Sequence, residues 1–402
     1  MITGIGFFFD LVVIYTIMGY ALGRISITMP MFFVIAGGIV GANGLGWISF
    51  GFEASEVESL TELTLALLLF ADAATLKFRE VKDDAKMPGR LLVVAFPLVL
   101  LFGALSGYVL FPAEGIGFAL LLGAILAPTD AALGLPIFNN SRVPARVRRA
   151  LNVESGLNDG ICVPILFLFL ALATDSSTKG STVQLAMTLV AQQIGIGVAV
   201  GVGLTVLGGW LLKLAADRGW ITESWRQLPV VALAVACFAV AQKLGGSGFI
   251  ASFSGGLLFG GIAKHHKAIL LLAAEGIGDT LALITWVVFG ATVVGRSFGQ
   301  ITWEVVLYAI LSLTLVRMLP VFLTLAGMNL RTDEKLFMGW FGPRGLASIV
   351  FAVIVINEHL PGGGTITITV ACTIILSIVA HGLSAHPLVA ALVARLKRSE
   401  RG

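Results

Sequence analysis

Apolar stretches as long as a membrane-spanning helix recur along this chain, and they constrain its fold more than any other feature. A span needs roughly 20 predominantly apolar residues, and the chain has thirteen such stretches bounded by charged or turn-forming residues: 5–23, 31–50, 59–76, 91–110, 115–136, 150–173, 183–212, 228–243, 248–263, 268–294, 302–327, 335–357 and 365–388. With 57% hydrophobic and only 12% charged residues, a soluble globule of 402 residues is excluded. The sequence predicts an all-α polytopic membrane protein with about 13 transmembrane helices.

The distribution of basic residues between the connections tests this helix count independently. Connections after odd-numbered helices hold 21 Lys and Arg residues, whereas those after even-numbered helices hold 3, namely Lys179, Lys243 and Arg296. Because basic residues accumulate in cytoplasmic connections, we expect thirteen spans in the cytoplasmic (inner) membrane, with the N-terminus outside and the C-terminus in the cytoplasm. Arg24 follows the first apolar stretch, which favours a spanning helix over a cleaved signal peptide.

Several residue types carry no predicted chemistry. The three cysteines lie at wide spacings in apolar stretches and indicate neither a disulfide nor a metal site: Cys162, Cys237 and Cys372. Four histidines are given no role, since a solvated position is the simplest interpretation: His265, His266, His381 and His386. The glycines of helix seven predict close helix packing: Gly195, Gly197, Gly201 and Gly203.

An enzyme is not expected. The segment EGIGDT (275–280) contains the Gly-x-Gly-Asp of intramembrane aspartyl proteases, but the chain has no Tyr-Asp partner for that chemistry. Glu275 and Asp279 are instead predicted to line a cytoplasmic funnel. No cofactor and no nucleic-acid partner is predicted.

Two predicted helices are interrupted in the middle. Helix five carries Pro128, Thr129 and Asp130 halfway along an apolar span, and helix twelve carries Pro343 and Arg344 between two glycines. Proline removes a backbone donor and opens the helix, and a broken helix in each half of a chain is typical of an inverted-repeat transporter with its site at the midplane. A simple kink in both helices would not account for a charged residue at each break.

Helix six concentrates the remaining polar groups. Glu154 and Asn158 share one face of this helix, and Ser155 and Asp159 lie on the adjoining face. Asp159 is about two turns into the span, where a carboxylate can bind either a proton or a monovalent cation. Glu154 needs a partner if it is buried, and Arg317 is the predicted one. The alternative is that Glu154 begins the helix at the cytoplasmic side and complements its dipole.

These segments resemble the bacterial and archaeal cation/proton antiporters related to animal sodium/proton exchangers. The resemblance covers nearly the whole chain and depends on five strings in order: APTDAALG (127–134), NVESGLNDG (152–160), GSGFIASFSGGLLFG (246–260), VRMLP (316–320) and GWFGPRGLASIVFA (339–352). In that family an Asn-Asp pair on helix six marks the electroneutral branch, and this chain has Asn158 and Asp159.

The resemblance implies roles for the residues that match the family motifs. Asp159 would be the exchanging carboxylate, and four residues would complete the cation site: Thr129, Asp130, Ser155 and Asn158. Glu154 and Arg317 would form a structural ion pair, while Arg344, together with Pro128 and Pro343, would stabilise the broken helices. The resemblance also implies a homodimer in which a mobile core, 91–173 and 302–388, moves against a dimerisation part, 5–76 and 183–294, with helices five and twelve crossing.

One segment departs from the family pattern, and rival functions stay open. Helix three has Ala71 followed by Asp72, where many relatives have a glutamate at the first of these positions. The leading hypothesis is electroneutral exchange of Na⁺ or Li⁺ for H⁺. The rivals are a carrier of the same fold that exchanges K⁺ for H⁺ or moves another substrate by symport, and a channel.

Overall fold

A computed structural model describes residues 2–24, 26–42, 44–47, 55–76, 86–138, 140–175, 182–222, 225–263, 267–294 and 300–399. Within these residues the chain is helical and has no strand. The first seven helices are α1 (Ile2–Arg24), α2 (Met29–Val40), α3 (Ser55–Thr75), α4 (Lys86–Leu110), α5 as α5a (Gly115–Ile125) and α5b (Ala131–Phe138), α6 (Ala145–Asp175) and α7 (Thr182–Asp217). The remaining six are α8 (Leu228–Lys243), α9 (Gly248–Ala263), α10 (Lys267–Phe289), α11 (Trp303–Thr324), α12 as α12a (Thr332–Trp340) and α12b (Leu346–Asn357), and α13 (Gly363–Ser399).

Each predicted apolar stretch therefore contains a helix or a broken pair of helices. Six helices of the described residues are long and apolar enough to cross a membrane: α4, α6, α7, α10, α11 and α13. Shorter apolar helical segments of 10–17 residues lie in α1, α2, α5a, α8, α9 and α12b, and two of these, α5a and α12b, are halves of broken helices. The breaks in α5 and α12 fall at the proline-containing segments, as predicted.

Local geometry differs from the predicted spans at several places. The second helix was expected to reach residue 50 but ends at Val40, and Gly41 follows it in an extended conformation. The backbone is π-helical at Leu91–Ala95, just before Pro97, whose missing N–H disturbs the regular ladder. A second π-helical segment, Gly290–Val294, ends α10. Helix α11 is distorted at Thr314, where the backbone leaves helical geometry.

The chain divides into two compact units. The first comprises Met1–Glu58, Asp84–Asn158 and Leu283–Gly402. Inside it α4 and α5a approach closely, since a Cβ on Gly103 would lie 3.2 Å from the Cα of Gly123. The Tyr308 hydroxyl on α11 donates to the Gly103 carbonyl at 3.2 Å. These contacts join α4, α5a and α11 around the break in α5.

The second unit comprises Ser59–Asp83 and Asp159–Ala282. Its apolar core is formed by α3, α8, α9 and α10. The predicted packing role of the α7 glycines applies to two of the four: Gly197 and Gly201 lie against α9, where a Cβ would meet the backbone carbonyls of Ser247 and Ala251. Gly195 and Gly203 face open space.

Four residues and two larger predictions stand apart from the helices described above. Lys179, Arg296, His265 and His266 lie outside the described residues. The division into a mobile core and a dimerisation part concerns motion and assembly, so it stays a prediction, as do the orientation of the termini and the choice of membrane.

Candidate functional site

The Asp130 carboxylate lies at the break in α5 and caps two helices at once. Its Oδ1 accepts hydrogen bonds from the backbone N–H groups of Ala132 and Leu133, at 2.7 and 3.2 Å, at the start of α5b. Its Oδ2 accepts the N–H of Leu346, the first residue of α12b, at 2.8 Å. A negative charge at a helix N-terminus is stabilised by the exposed N–H groups and the helix dipole. The geometry therefore gives Asp130 a capping function in addition to its expected place beside the cation.

Arg344 provides the opposite charge at the same crossing. Its Nη1 donates to the carbonyl oxygens of Ala127 and Pro128, which follow the C-terminal end of α5a. A cation is favoured there for the same electrostatic reason that an anion is favoured at the N-termini. The backbone N–H of Asp130 also donates to the Pro343 carbonyl at 2.8 Å. The two breaks thus contact each other through backbone and charged groups.

Two glycines of the α12 break make room for these charged side chains. A Cβ on Gly345 would collide with the Asp130 carboxylate, and a Cβ on Gly342 would collide with the Arg317 guanidinium. Any larger residue at either position would have to displace a buried charged group. Glycine at these two positions therefore permits the close approach of Arg317 and Asp130 to the α12 break.

A small buried polar cluster adjoins the break in α5. The Thr129 hydroxyl lies 2.9 Å from the Ser155 hydroxyl and accepts a hydrogen bond of 2.7 Å from Nδ2 of Asn158. All three side chains are buried. The Asn158 Oδ1 is also buried and accepts no hydrogen bond from the described residues. The cluster therefore combines hydroxyl and amide oxygens, which are the ligand types that hard cations prefer.

Glu154 and Arg317 form a two-pronged ion pair beside this cluster. Nη1 and Nη2 of Arg317 donate to the two Glu154 carboxylate oxygens at 2.5 and 2.8 Å. Both side chains are 1% exposed. A buried carboxylate needs such a partner, and the pairing makes the alternative of a solvated, dipole-complementing Glu154 inconsistent with the structure.

Asp159, the predicted exchanging residue, follows Asn158 directly in α6. Its side chain is partly buried. It is the first residue of the second compact unit, whereas the cluster of Thr129, Ser155 and Asn158 belongs to the first.

Sequence reasoning missed two groups of the first unit. His381 was assigned a solvated position, but it is 2% exposed because α13 continues to Ser399, well past the predicted end at 388. Glu334 is fully buried at the start of α12a and accepts two hydrogen bonds of 2.8 Å from Nη2 of Arg146. The position of His381 four residues after Ser377 on an apolar helix was a sequence feature that could have indicated its burial.

Broken apolar helices that meet at a buried cluster of charged and polar groups define a polytopic membrane carrier. A sequence profile described as "Sodium/hydrogen exchanger, transmembrane" matches residues 12–391. The chain belongs to this family.

Three relatives are 25–27% identical to the chain over the aligned residues. It is 25% identical over 367 residues to the K⁺/H⁺ antiporter NhaP2 of Shewanella oneidensis, covering 90% of this chain and 62% of the relative. It is 27% identical to the K⁺/H⁺ antiporter NhaP of Alkalimonas amylolytica, with the same coverage of each. It is 26% identical to a Na⁺/H⁺ antiporter of Schizosaccharomyces pombe, covering 75% of this chain and 71% of the relative.

The chain matches part of the length of its sequence relatives and nearly all of a solved structure. The chain spans 58% to 62% of the length of the Shewanella relatives NhaP2 that it matches. The solved structure of the sodium proton antiporter MjNhaP1 from Methanocaldococcus jannaschii superposes with a TM-score of 0.76 at 21% identity, covering 98% of this chain and 99% of the other. This likeness establishes the fold.

Proposed function

We propose that this chain exchanges a monovalent cation for a proton across the cytoplasmic membrane by alternating access, and that Asp159 binds the cation and the proton in turn. Na⁺ or Li⁺ is the expected cation. K⁺ is the alternative, because the relatives from Shewanella oneidensis and Alkalimonas amylolytica are named K⁺/H⁺ antiporters. The Schizosaccharomyces pombe relative is named a Na⁺/H⁺ antiporter, which supports sodium.

The observation that carries this proposal is the buried cluster at the break in α5. Thr129, Ser155 and Asn158 bring two hydroxyls and an amide oxygen together, and the amide oxygen accepts no hydrogen bond from the described residues. Neutral oxygens of this kind can replace part of the hydration shell of an alkali cation but cannot balance its charge. Asp159, the next residue of α6, would supply the single negative charge.

The neighbouring acids have structural partners, and we therefore assign the exchange to Asp159. Glu154 is matched by Arg317. Asp130 is surrounded by three backbone N–H groups from the starts of two helices. At both residues the carboxylate charge is therefore already matched by donors of the first unit. With the neutral Asn158 beside it, a single carboxylate would exchange one cation for one proton, so that transport is electroneutral.

The crossing of α5 and α12 supports a cycle in which the site moves as one body. The breaks are joined by the Asp130–Leu346 and Arg344–Pro128 hydrogen bonds, and neither break can move without the other while these persist. We also propose a homodimer in which the core, 91–173 and 302–388, moves relative to the dimerisation part, 5–76 and 183–294. The core would thereby expose the cluster to one side of the membrane at a time.

The proposal is tested by reconstituting the purified chain in proteoliposomes that contain a pH-sensitive dye. After a proton gradient is imposed, chloride salts of Li⁺, Na⁺, K⁺ and choline are added outside in turn. Saturable proton movement with Na⁺ and Li⁺, and none with choline, is the expected result. A response to K⁺ alone would support the alternative cation. Equal responses to choline and to every metal ion would contradict cation exchange.

A further inference from the structure

The break in α12 leaves backbone groups without partners in their own helix, and α13 supplies partners for groups on both sides of it. A helix end always leaves such groups unsatisfied. After the break, the backbone N–H of Arg344 donates to Oγ of Ser377 at 2.7 Å. Before the break, Nε2 of His381 lies 2.8 Å from the carbonyl oxygen of Trp340, the last residue of α12a, which also accepts the N–H of Gly342 at 2.8 Å. Ser377 and His381 are four residues apart and therefore share one face of α13.

The imidazole ring of His381 is fixed by its surroundings. Donation to the Trp340 carbonyl requires the proton on Nε2. The other ring nitrogen, Nδ1, lies 3.2 Å from Oγ and 2.8 Å from the carbonyl oxygen of Ser377. The ring also lies 5.1 Å from the Trp340 ring, and Nε1 of Trp340 donates to Oγ of Ser384 at 2.9 Å. Both Ser377 and His381 are almost completely buried.

A continuous series of contacts connects this pair with the polar cluster. Ser377 binds the backbone of Arg344, whose guanidinium donates to the carbonyls of Ala127 and Pro128. The following residue is Thr129, which binds the side chains of Ser155 and Asn158. A change in the backbone position of Arg344 would therefore reach the residue that anchors the cluster.

We propose that Ser377 and His381 are positioning residues for cation exchange, which hold both edges of the α12 break so that Arg344 keeps the α5 break in its binding-competent arrangement. This inference rests on the proposed exchange function. Without the pair, the break would occupy several arrangements, of which only a fraction binds the cation. Because the binding-competent state is then only partly populated, the apparent Kd for the cation rises in inverse proportion to that fraction. The expected defect is therefore in KM, with turnover at saturating cation largely retained.

The test compares Ser377→Ala and His381→Leu with the wild type in the proteoliposome assay. Ser377→Ala leaves the buried N–H of Arg344 without its acceptor, a loss that corresponds to an increase in the apparent cation KM of roughly five- to a hundredfold. His381→Leu removes one of two donors to the Trp340 carbonyl, which also accepts the N–H of Gly342 at 2.8 Å, so it should raise KM by less. The maximal rate should stay within about twofold of the wild type. His381→Gln keeps an amide donor that can reach the Trp340 carbonyl and should restore much of the affinity.

The matched control is Thr373→Val, which removes another buried hydroxyl from α13. That hydroxyl donates to the Thr369 carbonyl of the same helix. This variant should keep the wild-type KM. Stabilisation of each variant by added NaCl or LiCl in detergent, read as a melting shift relative to choline chloride, gives a second measure of affinity that does not need transport.

The possible outcomes separate the two proposals. If the wild type exchanges ions and the Ser377 and His381 variants keep its KM, the positioning role is wrong while the proposed function stands. The same conclusion follows if these variants melt at lower temperature but retain the wild-type KM and salt-induced melting shift, because that is a purely structural role. If the wild type shows neither exchange nor a salt-induced shift, the proposed function fails and the positioning role fails with it.

Discussion

The Asp130 carboxylate accepts a hydrogen bond of 2.8 Å from the backbone N–H of Leu346, a residue 216 positions further along the chain. The other carboxylate oxygen accepts the N–H groups of Ala132 and Leu133, so a single negative charge caps the N-termini of two half-helices, α5b and α12b. Arg344 adds a positive charge at the C-terminal end of a third, α5a. The breaks in α5 and α12 are therefore stabilised as a pair.

Replacing Asp130 by Asn should destabilise this crossing. The amide can accept hydrogen bonds through one atom only, so the start of α5b or of α12b loses its acceptor, and the favourable charge at both starts disappears. We expect a loss of about 1–3 kcal/mol, read as a lower melting temperature in detergent. Asp217→Asn, the same change at an exposed residue at the end of α7, should melt like the wild type. An unchanged melting temperature for Asp130→Asn would contradict the capping function.

The Glu154–Arg317 pair makes a second prediction about stability. Glu154→Gln leaves a buried guanidinium without its counter-charge, which costs about 3–5 kcal/mol. Combining Glu154→Leu with Arg317→Met removes both charges and should be much less destabilising than the two single changes added together. Chemical or thermal unfolding of the wild type, Glu154→Leu, Arg317→Met and the double variant gives the coupling energy. Additive losses would show that the two side chains do not act as a pair.

The glycines of the α12 break allow a steric test. Gly345→Ala places a methyl group where the Asp130 carboxylate lies, so the carboxylate must move and the cap must weaken. We expect both a lower melting temperature and slower cation exchange. Gly364→Ala is the control, since a Cβ there meets no atom within 4 Å. Equal melting temperatures and exchange rates for the two variants would count against the close approach of Asp130 and Gly345.

Much of this arrangement could be predicted from the sequence, because an unpaired buried charge is costly and proline removes a backbone hydrogen-bond donor. Pro128 and Pro343 lie in otherwise apolar spans, and helices stop where a backbone donor is missing and a charged residue follows. The partner of Glu154 could be predicted because few cations are available at the depth of Arg317. Both predictions follow from the cost of a missing backbone donor or an unpaired charge in an apolar span.

Other features depend on tertiary contacts that no local pattern records. The capping of α12b by Asp130 exists only because two distant breaks cross. The burial of His381 follows from the packing of α13 against the end of α12a, whereas a histidine near a predicted helix end is usually solvated. Helix α2 ends at Val40 although apolar residues continue beyond it, and the extended Gly41 packs against the backbone of Ala291.

Electroneutral exchange predicts a transport rate that does not depend on membrane potential, as expected for a site with one exchanging carboxylate and not two. Proteoliposomes are clamped at several membrane potentials with valinomycin and K⁺ gradients, and the Na⁺-driven proton movement is recorded. The wild-type rate should not change with potential, because the charge carried by Asp159 is the same with a proton or a monovalent cation bound. Asn158→Asp adds a second carboxylate and should introduce a dependence on potential. A wild-type rate that follows the potential would contradict one-for-one exchange.

The most direct test of the account is proton movement driven by Na⁺ or Li⁺ in proteoliposomes containing Asp159→Asn, with Asp217→Asn as the matched control. The substitution keeps the size of the side chain but removes the only charge proposed to bind the cation and the proton in turn. We predict that Asp159→Asn folds and melts like the wild type and shows no exchange, whereas Asp217→Asn exchanges at the wild-type rate. Substantial Na⁺- or Li⁺-dependent proton movement by Asp159→Asn would contradict the account.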